Sequence, residues 1–99
     1  MTINKTQENG TITLAIEGRL DTSTSPRFQE ALIPLFGEAK VIKIDFANIV
    51  YVSSAGLRVL LMGQKTAKSN NAVMTLFNVS EEVMEVFDMT GFSNMLNIE

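Results

Sequence analysis

Two adjacent serines, Ser53 and Ser54, stand where the chain's pattern turns helical, in the stretch Tyr51-Val-Ser-Ser-Ala-Gly-Leu57. A serine at a helix start can accept a hydrogen bond from a free backbone N–H of the first turn, so one of the pair is expected to cap the helix whatever else it does. A serine there can also take a phosphoryl group. The free N–H groups and the partial positive charge of the helix end tolerate the added charge of about −1.5 to −2 at neutral pH. In a desolvated interface with a partner the same charge is costly. A phosphate at this point would therefore spare the fold and remove the binding, which is the chemistry of a switch.

Other chemistry at the pair is poorly supported. The chain has no histidine and no cysteine, which removes imidazole acid–base catalysis, thiolate chemistry, disulfides and the usual zinc sites. Lys65 and Lys68 fall about three turns along the same helix from Ser54, beyond contact with its hydroxyl. Neither Gly-x-Ser-x-Gly, nor a phosphate loop, nor a dinucleotide fingerprint occurs. Asp21 and Asp45 fall at strand ends, where two acids could in principle hold a divalent ion, but nothing specifies one. Turn chemistry is the favoured reading of Asp45. Arg19 and Arg58 read as solvated cations able to meet a phosphate or an acid of a partner. Gly56 inside a first helical turn costs about 1 kcal/mol against alanine. Close approach of a neighbouring strand or of a partner would offset that. Met62, Met74, Met84, Met89 and Met95 form no motif and read as core or interface filler.

The elements that would position these residues follow from periodicity. Ile3 to Gln7 is a short strand, and Asn9-Gly10 marks a hairpin turn. Thr11 to Glu17 alternates, with Ile12, Leu14 and Ile16 on one face; Gly18-Arg-Leu-Asp21 closes it. Ser23, Thr24 and Ser25 with Pro26 signal a helix start, and Phe28, Leu32 and Leu35 recur at helical spacing. Pro34 predicts a kink or fraying before Gly37, the expected C-cap. Val41 to Phe46 is a strand, and Ala47 to Val52 a connection or short extended piece. From Ser54 a helix follows, with Leu57, Leu60 and Leu61 on its buried face and Gln64 or Lys65 at the edge; Asn70-Asn71 ends it. Ala72 to Phe77 is a strand. Ser80 caps a helix carrying Glu81 and Glu82 in its first turn and Val83, Val86 and Phe87 on one face. Gly91 stops it, and Met95 to Ile98 adds a last strand. The order is β-β-α-β-α-β-α-β, an α/β fold in which crossovers build a mixed sheet with helices packed against it.

The 99 residues suit one domain, residues 1–99, and apolar residues at 45% are enough for one modest core. A net charge of −3 offers no basic footprint for nucleic acid. No run approaches the roughly 18 apolar residues of a membrane span, and the N-terminus lacks the apolar segment of a signal peptide.

Three segments in order resemble one family. Gly18-Arg-Leu-Asp21 is similar to its Gly-x-Leu-Asp segment before the first helix. Residues Ile44 to Leu61 are similar to its signature, and Val86-Phe-Asp-Met-Thr-Gly91 to its Leu-Phe-x-x-x-Gly ending. The family is that of the anti-sigma factor antagonists, built on the STAS domain, and the resemblance covers nearly the whole chain. Its central motif reads Asp-Ser-Ser/Thr-Gly-Leu. On this chain the acid falls on Ser53, the phosphorylated serine on Ser54, the next hydroxyl on Ala55, and the glycine and leucine on Gly56 and Leu57. Arg58 stands where glycine is often found. With the acid gone, Ser53 is a competing acceptor.

What the resemblance implies is a cytoplasmic partner-switching protein of bacterial type, a substrate and binder rather than an enzyme, with no cofactor of its own. Unphosphorylated, it would bind an anti-sigma factor serine kinase of the GHKL type and free a sigma factor. That kinase would use ATP and magnesium to phosphorylate Ser54, and a serine phosphatase would reverse the step. Asp21 would sit near Ser54, and Asp21, Ser53, Ser54, Ala55, Gly56, Leu57 and Arg58 would form the surface that meets the kinase. The alternative keeps the fold as a non-phosphorylated subunit of a membrane transporter or of a signalling complex.

Overall fold

A computed structural model of the chain describes all of residues 1–99. Five strands form one sheet in the order β1-β2-β3-β4-β5: β1 Thr2–Glu8, β2 Thr11–Leu20, β3 Val41–Val52, β4 Val73–Phe77 and β5 Asn97–Ile98. The β1–β2 hairpin is antiparallel, turning at Asn9 and Gly10, and the remaining pairings are parallel. The helices α1 (Ser25–Leu32), α2 (Ser54–Ser69) and α3 (Glu81–Thr90) fill the three crossovers. The α/β class, the mixed sheet and the element order agree with the sequence reading. No helix is long and apolar enough to cross a membrane.

Every parallel step moves one strand in the same direction, and right-handed crossovers of that kind place all three helices on one face of the sheet. Burial agrees. Ile12, Leu14, Ile16, Ile42, Ile44, Phe46, Met74 and Leu76 are buried beneath the helices. Their alternating neighbours Thr11, Thr13, Ala15, Lys43, Asp45, Thr75 and Phe77 remain partly exposed on the open face. Phe28, Leu32 and Phe36 close the core from the α1 side, Leu57 and Leu60 from α2, and Val83 and Phe87 from α3.

Several boundaries differ from the periodicity. Pro34 does more than kink α1: the α-helix stops at Leu32 and tightens into a 3₁₀ turn, Ile33–Gly37, so Gly37 is the end of that turn and Glu38 its cap. Proline has no N–H for the α ladder, and the tighter turn does without it. The last strand is only Asn97–Ile98, preceded by a 3₁₀ turn at Phe92–Asn94. On α2, Val59, Gly63 and Ala67 share the buried face with Leu57, Leu60 and Gln64, whereas Leu61 is half-buried and Lys65 exposed. A Cβ on Gly63 would stand 2.9 Å from Leu32 Cδ2 and from Met74 Sδ, so that glycine lets α2 settle between α1 and β4. Met74 alone of the five methionines above is fully buried; Met62, Met89 and Met95 are exposed.

The largest difference concerns β3. No loop separates Phe46 from the serine pair. The strand continues through Val52, paired to an extended β2 that itself runs on to Leu20. The added pairing is irregular, with register shifts at Ala15/Glu17 and Gly18/Arg19. Gly18 at the second shift has φ +104°, a backbone conformation that a side chain rarely adopts. Irregular pairing breaks the strict alternation that marks a strand in sequence, which is why Ala47 to Val52 reads as a connection.

Candidate functional site

The two extended strands deliver the serine pair to the end of the sheet. The Ser53 backbone N–H donates to the Leu20 carbonyl oxygen at 2.8 Å, prolonging the β2–β3 ladder by one bond. Ser53 has extended backbone angles and is the N-cap of α2. Its Oγ accepts from the Gly56 N–H at 3.4 Å. Ser54 is the first residue of the helix and is exposed, whereas Ser53 is half-buried. The two hydroxyls therefore differ in their tasks: the Ser53 hydroxyl engages the helix end, and the Ser54 hydroxyl faces solvent.

Gly56 is where the neighbouring strand, and not a partner, makes the close approach. A Cβ there would stand 2.7 Å from Leu20 Cγ and 3.0 Å from the Leu20 carbonyl oxygen. Leu20 is fully buried. The absence of a side chain on Gly56 lets the first turn of α2 rest on the end of β2. Gly56 and Leu57 are both buried, so from this stretch the surface is built by Ser53, Ser54, Ala55 and Arg58.

Asp21 follows β2 directly and organises the turn into α1. Its Oδ1 accepts from the Ser23 N–H at 3.0 Å, the Ser23 hydroxyl at 2.8 Å and the Thr24 N–H at 3.2 Å. The Thr24 Oγ1 accepts from the Asp21 N–H and donates to the Arg19 carbonyl oxygen. The Ser25 hydroxyl donates to the Asp21 carbonyl oxygen. Of the capping hydroxyls expected at Ser23 to Ser25, Thr24 occupies the N-cap but makes no side-chain cap bond; the Asp21 carboxylate instead holds the turn that leads into the helix, through the N–H groups of Ser23 and Thr24. The Ser23 hydroxyl first, and the Thr24 and Ser23 N–H groups with it, hold the Asp21 carboxyl below its ordinary value against an opposing desolvation.

Arg19 is exposed, as its sequence position suggests, and it also has partners within the chain. Its guanidinium carbon stands 4.3 Å from the centroid of the Tyr51 ring, and its Nε lies 3.6 Å from Asp21 Oδ2. The contact with Tyr51 follows from the shifted register that sets Arg19 opposite Tyr51 and Leu20 opposite Val52. Tyr51 was not a candidate from sequence, because no local signal shows which residue a parallel strand places beside Arg19. Asp45 lies within β3, where its Oδ1 accepts from the Ala47 N–H and from Asn78 Nδ2, tying β3 to the residue after β4. It takes no part in the serine site.

Electrostatically the helix start is open to an anion. The first turn of α2 contains no acid. Arg58 lies one turn beyond Ser54 at i+4 spacing and is exposed. Beside it a shallow groove of about 240 Å³ runs between Thr22, Pro26 and Gln29 on one side and Ala55, Arg58 and Met62 on the other. The site thus presents a hydroxyl, a helix N-terminus and a guanidinium next to a surface of mixed polarity.

Comparison with known proteins gives the following. The STAS domain model matches residues 2–99. The anti-sigma-B factor antagonist of Listeria monocytogenes is 28% identical over 96 residues, covering 96% of this chain and 84% of that protein. The crystal structure of an anti-sigma factor antagonist from Mycobacterium paratuberculosis superposes with a TM-score of 0.87 at 15% identity, over 98% of this chain and 83% of that one. The Bacillus cell fate determinant SpoIIAA in its phosphorylated form superposes with a TM-score of 0.76 at 16% identity, over 99% of this chain and 91% of that one.

Proposed function

The chain belongs to the STAS domain family, and on that premise we propose that it is an anti-sigma factor antagonist switched by phosphorylation of Ser54. Unphosphorylated, it binds an anti-sigma factor serine kinase of the GHKL type and so frees a sigma factor. Phosphoryl transfer from ATP to Ser54 Oγ ends the binding, and a serine phosphatase restores it. The chain acts in the cytoplasm as substrate and binder, not as an enzyme. The naming of its relatives as anti-sigma-B factor antagonists supports the first part of this reading.

One observation carries the choice of acceptor: Ser53 is engaged as the N-cap and half-buried, while Ser54 beside it is exposed at the first helical position. Ser53 fills the place of the motif's aspartate, and aspartate and serine are comparable caps. The replacement keeps the helix start and drops its negative charge. Phosphate on Ser54 then meets the helix dipole and Arg58, with no acid in the first turn of α2 to repel it. Asp21 contributes by shaping the turn next to the site.

The test is to incubate the chain with its cognate kinase, ATP and magnesium, and to measure the mass gained. One phosphate is expected on the wild type and on Ser53→Ala, and none on Ser54→Ala. Full-rate uptake by Ser54→Ala removes the assignment. Ser54→Asp should weaken kinase binding by more than about 1 kcal/mol through desolvation of the added charge.

A further inference from the structure

Of the charged residues at the serine site, Arg19 and Asp21 engage one another, and Arg19 also lies on the Tyr51 ring. Arg58 is left over. It is exposed, and the ion pairs of the molecule, Lys5–Glu38, Arg19–Asp21 and Lys43–Glu99, leave it out. The surfaces that it lines hold no acid. From Ser54 to Ser69, α2 contains none. Across the groove toward α1 stand Thr22, Ser25, Pro26 and Gln29, all uncharged. A second shallow hollow of about 300 Å³, which Arg58 also lines, adds Leu61, Met62, Lys65 and Thr66, whose only charge is another cation. Ser54, exposed at the start of the same helix, is four residues away. Residues at that spacing are neighbours on a helix surface, and an anion N-terminal to a cation is the favourable order. Within its own helix, the group placed to give Arg58 an anion is Ser54 carrying a phosphate.

We propose that Arg58 is the arm that the switch withdraws: in the unphosphorylated chain it holds a carboxylate of the kinase, and phosphate on Ser54 draws it back onto its own helix. This rests on the reading of Ser54 as the acceptor, and it names what the phosphate takes away from the partner. An exposed guanidinium between uncharged walls is complemented by an acid on the surface that meets it, and a carboxylate fits its forked donors. The phosphate competes for the same donors with the advantage. It carries about −1.5 to −2 charges against −1 for a carboxylate, so its attraction at equal distance is up to about twice as large. It also belongs to the same molecule and loses no freedom of association in pairing. Phosphorylation then acts twice on the interface. It adds a charge that must be desolvated, and it removes the cation that the partner's acid needs.

The experiment has two arms. In the first, phosphoserine is incorporated at position 54 of the full chain during translation, and its phosphate is titrated by phosphorus NMR in the wild type, Arg58→Gln and Lys65→Gln. A paired guanidinium favours the dianion, so the wild-type midpoint should lie about half a pH unit below that of Arg58→Gln. The helix end is the same in all three chains and cancels. Lys65→Gln should match the wild type. Equal midpoints for the wild type and Arg58→Gln overturn the proposal, as does an equal rise in Lys65→Gln. In the second arm, the unphosphorylated chains are titrated with the cognate kinase. Arg58→Gln should bind about tenfold more weakly than the wild type. The further loss on adding Ser54→Asp should be smaller in the Arg58→Gln background than in the wild type. Undiminished binding by Arg58→Gln overturns the proposal while leaving Ser54 as the acceptor. Phosphate uptake by Ser54→Ala instead removes the acceptor, and the first arm, which needs no kinase, tells the two failures apart.

Discussion

The Leu20 carbonyl oxygen accepts the Ser53 N–H at 2.8 Å, so the last bond of the β2–β3 ladder is also the bond that fixes the cap of α2. The same leucine presents its Cγ to Gly56 three residues along. The serine site is thus mounted on the end of the sheet and not on a loop. Its hydroxyls are placed by elements whose positions are set by the core.

Gly56→Ala should destabilise the fold although alanine is the better helix former. The added Cβ would stand 2.7 Å from Leu20 Cγ and 3.0 Å from its carbonyl oxygen, and Leu20 is fully buried. Overpacking of this kind costs about 1–3 kcal/mol, against about 1 kcal/mol gained in propensity. Urea denaturation should show a net loss, smaller when the substitution is made in a Leu20→Ala background. Equal losses in both backgrounds would mean that Leu20 is not the obstacle.

The two serines should separate in a stability measurement as they do in geometry. Ser53→Ala removes the side-chain acceptor of the Gly56 N–H and should cost about 1 kcal/mol, while Ser53→Asp should keep the cap and gain from the helix dipole. Ser54→Ala is a change at an exposed position and should stay within about 0.5 kcal/mol. Thermal or urea denaturation of the three variants checks this order, and a larger loss for Ser54→Ala than for Ser53→Ala would reverse the assignment of the cap.

Asp21 gives a pH dependence whose sign follows from its hydrogen bonds. The folded carboxyl is held below its ordinary value of 3.8. The unfolded chain therefore binds the proton first, and the stability that Asp21 contributes is complete above that value and lost as pH falls through the lower folded value. Asp21→Asn retains an oxygen for the Ser23 and Thr24 N–H groups but has nothing to titrate. The variant should lose less stability than the wild type between pH 5 and pH 2, measured by urea midpoints in the same buffers; identical losses would show that the acid limb belongs to other carboxylates.

Much of the fold was legible from local pattern. Strands with one buried face alternate, as at Ile12, Leu14 and Ile16, and the helix beginning at Ser80 carries its cap and acids where the dipole wants them. Asn9-Gly10 could only be a tight turn. The rest depended on a distant element. The register shifts near Gly18 hid the far half of β3, and Pro34 shortened α1 into a 3₁₀ turn.

The sequence by itself determined the element order, the motif that identifies the family, and the presence of a serine pair at a helix start without any histidine or cysteine to make it a nucleophile. The family motif put the acceptor on Ser54, but local pattern left the two hydroxyls equivalent as caps, because side-chain type and spacing are the same for either. Only the tertiary structure decided between them: the bond from the Ser53 N–H to Leu20 fixes where the strand ends and so which serine is the cap and which faces water. The same holds for Gly56, whose open question between strand and partner was settled by Leu20, and for Arg19, which a parallel register sets against Tyr51. Contacts between residues far apart in sequence depend on register and packing, and no local pattern encodes them.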